Sequence, residues 1–111
     1  MTVTIKNIIP AKQAEVTQET QYTAVNCKTI IDKFTGTNVS AGNVTLSVNL
    51  VANGDVESVS NLIVDARSIA PGETYQFPEL VGQSLGVNDF ISTICDTGAA
   101  LVIMASGREI T

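Results

Sequence analysis

An all-β chain, folded as an antiparallel β-sandwich or jelly-roll-like body of about seven or eight short strands, is what this sequence predicts. Three observations carry the prediction. Apolar and hydroxyl residues alternate in short runs, most clearly where Val44, Leu46, Val48 and Leu50 interleave with Thr45, Ser47 and Asn49. Side chains along an extended strand point alternately to opposite faces, so such a run buries one face and wets the other. Turn signals, among them Asn53-Gly54-Asp55 and Ala70-Pro71-Gly72-Glu73, recur at strand-length spacing. No sustained 3.6-residue period appears anywhere, so at most one short helical turn is expected.

The elements follow in order. Residues 1–21 carry Pro10, Glu15, Glu19 and repeated Thr and Gln, and they supply either a strand over Thr2–Ile9 or an arm that packs on a neighbour. Residues 22–111 form the sandwich domain. A second strand is expected near Tyr22–Cys27 and a third over Lys28–Asn38, where Asp32 shares the parity of Ile30 and Phe34. An acid on the buried parity calls for a bulge or a change of face at that point. Val44–Val51 is the fourth strand, and Leu62-Ile63-Val64 marks the fifth.

Ala70-Pro71-Gly72-Glu73 suits a type II turn, since Pro sets φ at the second position and Gly accepts positive φ at the third. Thr74–Phe77 follows, with Tyr75 and Phe77 on one face, and Pro78 stops the ladder because it has no N–H. Pro78–Leu85 is the one stretch expected to make a helical turn, with Leu80, Val81 and Leu85 capping one end of the core. Gly86–Asp89 turns into a strand over Phe90–Asp96, and Thr97-Gly98 leads to the last strand, Ala99–Ala105. Ser106-Gly107 then precedes a tail, Arg108–Thr111.

Length and composition bound the function. A chain of 111 residues suits one domain. Hydrophobic residues make up 44%, yet no apolar run approaches the roughly 20 residues that span a bilayer, so no membrane partner is expected. The N-terminus lacks the basic and apolar regions of a secretory signal. Charged residues are only 15% with a net charge of −5, and Lys6, Lys12, Lys28, Lys33, Arg67 and Arg108 are scattered along the chain, so nucleic acid is not an expected partner. Sparse charge also leaves sheet edges weakly guarded, which points to a homo-oligomer.

The chemistry available is narrow. With no histidine, neither a Ser–His nor a Cys–His nucleophile can be built. Cys27 and Cys95 lie in apolar surroundings and read as buried small hydrophobes, with an intramolecular or inter-subunit disulfide left open. Asp32, Asp55, Asp65, Glu73, Glu79, Asp89, Asp96 and Glu109 mostly adjoin turns, where Asp bonds local backbone, and no spacing pairs them as acid and base or as a calcium loop. Two Asn-x-Ser/Thr sequons, at Asn38 and Asn43, are chance products of an Asn- and Thr-rich chain. Tyr22, Tyr75, Phe34, Phe77 and Phe90 are the only aromatics, and the phenylalanines read as core. No catalytic residue, cofactor or metal ligand is assigned, and the chain is expected not to be an enzyme.

Five stretches carry a likeness to a known group: Phe34-Thr35-Gly36-Thr37-Asn38, Val44–Val51, Ile69–Tyr75, Leu85–Ile91 and Ala105–Ile110. Together they resemble small β-sandwich accessory proteins of tailed bacteriophage virions, of the head decoration, neck or collar, and tail type. What the resemblance implies is a non-enzymatic virion structural protein, made in the host cytoplasm, that binds capsid, neck or tail subunits and stabilises the particle. An alternative from the same setting is a receptor- or carbohydrate-binding module of a fibre or spike, for which Tyr22 and Tyr75 are the only stacking candidates.

Overall fold

The computed structural model describes residues 1–111 as two facing antiparallel sheets. Nine strands run in chain order: β1 (Val3–Gln13), β2 (Glu19–Thr23), β3 (Lys28–Asn38), β4 (Val44–Val51), β5 (Leu62–Ile69), β6 (Thr74–Tyr75), β7 (Ser84–Leu85), β8 (Phe90–Cys95) and β9 (Leu101–Ile110). Sheet A has the order β1-β9-β3-β6, with β7 also on β3, and sheet B has β2-β8-β4-β5. If β6 and β7 are taken as two pieces of one interrupted edge strand, this is the connectivity of an eight-stranded jelly roll.

The core lies between the sheets. Ile9, Ile31, Phe34, Leu46, Val48, Ile69, Phe77, Leu80, Ile91, Leu101 and Ile103 are all fully enclosed. Phe34 meets Phe77 edge to face at 5.0 Å, and Tyr75 meets Phe77 in the same manner at 4.7 Å, the geometry that aromatic quadrupoles favour. Tyr22 is also buried in the core.

Departures from the sequence reading have local causes. The first strand extends past Pro10 to Gln13, because β1 is an edge strand whose register with β9 shifts between Ile9 and Lys12; a residue without an N–H fits there. Residues 1–21 hold all of β1 and the start of β2, and they place Ile8, Ile9 and Ala14 in the core. The second strand is Glu19–Thr23, ending earlier than Cys27, because the chain turns at Asn26 with φ 58. In β3 the register shifts between Ile31 and Lys33. Thr29, Ile31, Phe34, Gly36 and Asn38 therefore face inward, while Asp32 is exposed and pairs with Arg108 at 2.9 Å.

No helical turn forms over Pro78–Leu85. Gly82 takes φ +84, which ends any α-helical path, and the segment is a sequence of turns that closes on β3 through Gly82 N–H to Ile31 O at 2.7 Å. Leu80 and Leu85 do plug the core, whereas Val81 is exposed. The one helical turn is a 3-10 turn at Val59–Asn61, where Ser58 and Asn61 cap each other reciprocally. The expected tail Arg108–Thr111 is mostly strand, since β9 continues through Ser106-Gly107 to Ile110 as the strand between β1 and β3.

Candidate functional site

Six of the eight acids singled out from sequence accept backbone, hydroxyl or ion-pair bonds, whereas the side chains of Asp55 and Asp65 make none. Asp89 accepts the N–H groups of Asn53 and Gly86, both at 2.8 Å, and so ties two loops together. Asp96 accepts the Thr45 N–H at 3.0 Å, and that bond holds its carboxyl below the usual range. Glu73 accepts the Ala70 N–H at 2.8 Å across the Pro71-Gly72 turn, whose Gly72 has φ +75. Glu79 accepts from the Tyr75 hydroxyl at 2.8 Å. No group of three or more His, Cys, Asp or Glu side chains is placed to hold a metal ion.

Two polar clusters emerge that sequence reasoning did not find. At one end of the sandwich the buried Tyr22 hydroxyl lies 2.7 Å from Thr29 Oγ1 and donates to Glu109 Oε2 at 2.5 Å, while Lys6 Nζ approaches the same carboxylate at 3.4 Å. Burial, and then the neighbouring carboxylate, push the Tyr22 hydroxyl far above its ordinary value, and the Tyr22 bond holds Glu109 low. These groups are locked as phenol and carboxylate. Cys27 borders this cluster, and both it and Cys95 are buried free thiols; burial raises Cys95, which suppresses thiolate chemistry.

The second cluster covers the outer face of sheet B. Gln18 Nε2 donates to Ser92 Oγ at 2.8 Å, and Ser92 Oγ donates to Glu57 Oε2 at 2.7 Å, which lowers Glu57. Asn49 Nδ2 donates to Ser58 O at 3.0 Å and to Asn61 Oδ1 at 2.7 Å, pinning the Val56–Asn61 loop onto the sheet. A shallow groove of about 330 Å³ runs beside this network, bordered by Gln18, Ser47, Glu57, Val59 and Ile94. Its donors and acceptors largely engage one another, and its hydroxyl–carboxylate pair joins a fully buried Ser92 to a Glu57 carboxyl held low, which makes that carboxylate a weak base. Only the outward Thr45, Ser47 and Asn49 of β4 hinted at it.

Neither tyrosine is fully exposed. Tyr22 is interior, and the Tyr75 ring packs on Phe77 with the Arg67 guanidinium 4.1 Å from its centroid on one side.

What remains accessible is surface. The N-terminal half of β1 is an unpaired edge. Thr2 and Thr111 exchange both backbone bonds, so with Thr4 opposite Glu109 and Lys6 opposite Gly107, alternation directs the amides of Val3 and Ile5 outward. Their side chains are exposed as well, Ile5 at 83%.

Across 99% of its length the chain superposes on a solved chain of Bacillus endospore appendages, which form a family of disulfide-linked pili; the TM-score is 0.59 over 88% of that chain, at 12% identity. The likeness extends to the fold. No protein-family model matches the sequence, and no curated protein matches it.

Proposed function

We propose that this protein is a non-enzymatic structural subunit that works by adhering to copies of itself and to neighbouring subunits in a multi-subunit assembly. The observation that carries this reading is the open β1 edge, where outward amides at Val3 and Ile5 sit beside exposed apolar side chains. An unpaired strand of this kind is a template for association unless charge or proline guards it; Lys6 is the only cation there and is already engaged by Glu109. The fold shared with a pilus protein supports the same reading.

The finer proposal is a decoration, neck or tail component of a tailed-phage virion, made in the host cytoplasm; it rests on the turn and strand resemblance drawn from sequence. A pilus-like appendage is the competing setting. Linkage by disulfides is disfavoured in either setting, because both thiols are interior.

The test is direct. Purified chain at rising concentration is followed by light scattering and negative-stain microscopy, with enlarged, regular species expected. A chain that stays monomeric up to millimolar concentration, and is absent from purified particles or appendages of its source, would sink the proposal.

A further inference from the structure

The two broad faces of the sandwich differ in charge, and the difference has a direction. Lys28, Lys33 and Arg108 face outward from sheet A, where the alternation of β3 and β9 buries Thr29, Ile31, Phe34, Ala105 and Gly107 instead. The acid among them, Asp32, is taken up by Arg108 at 2.9 Å. Between β3 and β9 this face has a pit of about 200 Å³ bordered by Lys33, Thr35, Met104 and Ser106, with Met104 exposed at 38%.

Sheet B presents the opposite sign. Its outer groove and the adjoining depression are bordered by Glu57 and Asp96 and by no cation. The only Lys or Arg in β2, β4, β5 and β8 is Arg67, whose guanidinium is turned over the Tyr75 ring. Val59, exposed at 89%, and Ile94 give this face its apolar contacts.

We infer that the basic outer face of sheet A docks on the acidic outer face of sheet B of a second copy, so that subunits stack head to tail. The inference rests on the self-association proposed above and adds its polarity. Contacts between two unlike faces are heterologous, so each added copy leaves one free face of each kind, and the stack extends as a filament or closes as a ring. Complementary charge fixes which face meets which and speeds encounter, while Met104, Val59 and Ile94 supply area removed from water. A slab with extents of 45, 27 and 20 Å has broad faces large enough for the roughly 800 Å² per partner of a stable interface.

The experiment uses the full chain with Lys33→Glu on one face and Val59→Lys on the other, with Glu57→Lys as a second variant of the sheet B face. Melting curves confirm that each variant folds. Each alone is expected to associate about tenfold more weakly or worse, and raising salt is expected to weaken the parent. The decisive arm is an equimolar mixture of Lys33→Glu and Val59→Lys. Each partner then keeps one intact face of opposite kind, so light scattering is expected to find larger species in the mixture than either variant forms alone.

A mixture that scatters like either variant alone, or folded variants that assemble like a self-associating parent, overturn the head-to-tail assignment and leave the structural-subunit reading standing. A parent that never self-associates overturns the head-to-tail assignment, and the structural-subunit reading falls with it when the chain is also absent from purified particles or appendages.

Discussion

Gly107 occupies a position in β9 where a Cβ would stand 2.4 Å from the Ile30 carbonyl oxygen, which belongs to backbone and cannot swing aside. Gly107→Ala is therefore expected to force β3 and β9 apart and cost about 1–3 kcal/mol, read as a lower melting temperature. Asn38 is a residue whose role was illegible beforehand. Fully buried, it donates to Gly42 O and Ile69 O, both at 2.8 Å, and accepts from the Ser40 N–H at 2.9 Å. Sequence showed a sequon there, because a partner 31 residues away leaves no local trace. Glu109 was equally hidden. Its carboxyl is held below the ordinary range chiefly by the Tyr22 hydroxyl, so its contribution to stability is complete above the unfolded value and disappears as pH falls through the lowered folded one. Tyr22→Phe is expected to lose about 1.5–3 kcal/mol at neutral pH, with the gap to the parent narrowing under acid in denaturant titrations at several pH values.

Strands were legible as elements where one face is buried, as in β4, whose inward Val44, Leu46 and Val48 follow the predicted alternation. Their ends were less so. The bulge in β3 showed itself through Asp32, yet the extension of β9 past Ser106-Gly107 did not, since glycine reads as punctuation until the strand on either side is known. Pro78–Leu85 has the composition of a helix start, but tertiary bonds to β3 hold it as turns. The ladder of β1 makes an element-level prediction. Thr4→Pro removes an N–H that serves β9 and is expected to cost about 1 kcal/mol, whereas Ile5→Pro removes an outward amide and is expected to melt close to the parent. Equal losses from the two would show that the assigned parity is wrong.

For the whole molecule, composition and turn spacing were enough to give an all-β sandwich or jelly-roll-like body, while the strand order that makes it a jelly roll was not legible. Its defining pair, β1 with β9, joins Val3 to Ile110, and nothing local encodes so distant a partner. The first 21 residues illustrate the consequence: their polar composition left a strand and an arm equally open, and the structure makes them a strand that places Ile8, Ile9 and Ala14 in the core. Deleting residues 2–20 is accordingly expected to abolish cooperative melting, followed by circular dichroism. A truncated chain with a sharp transition would show that the remaining strands close a core without β1. Glu15, Glu57, Asp96 and Glu109 all have lowered carboxyl values, so the native state as a whole is expected to weaken as acid titrates them.

The interrupted edge opposite β1 bears on how errors spread. β6 and β7 are two residues each, and between them the chain folds over β3 with Phe77 and Leu80 anchored inside. A strand that adds to β1 finds no second berth across the sheet, because occupying it would mean uprooting both anchors. Runaway cross-β growth, which needs every layer to offer two vacant sides, stops after that one addition.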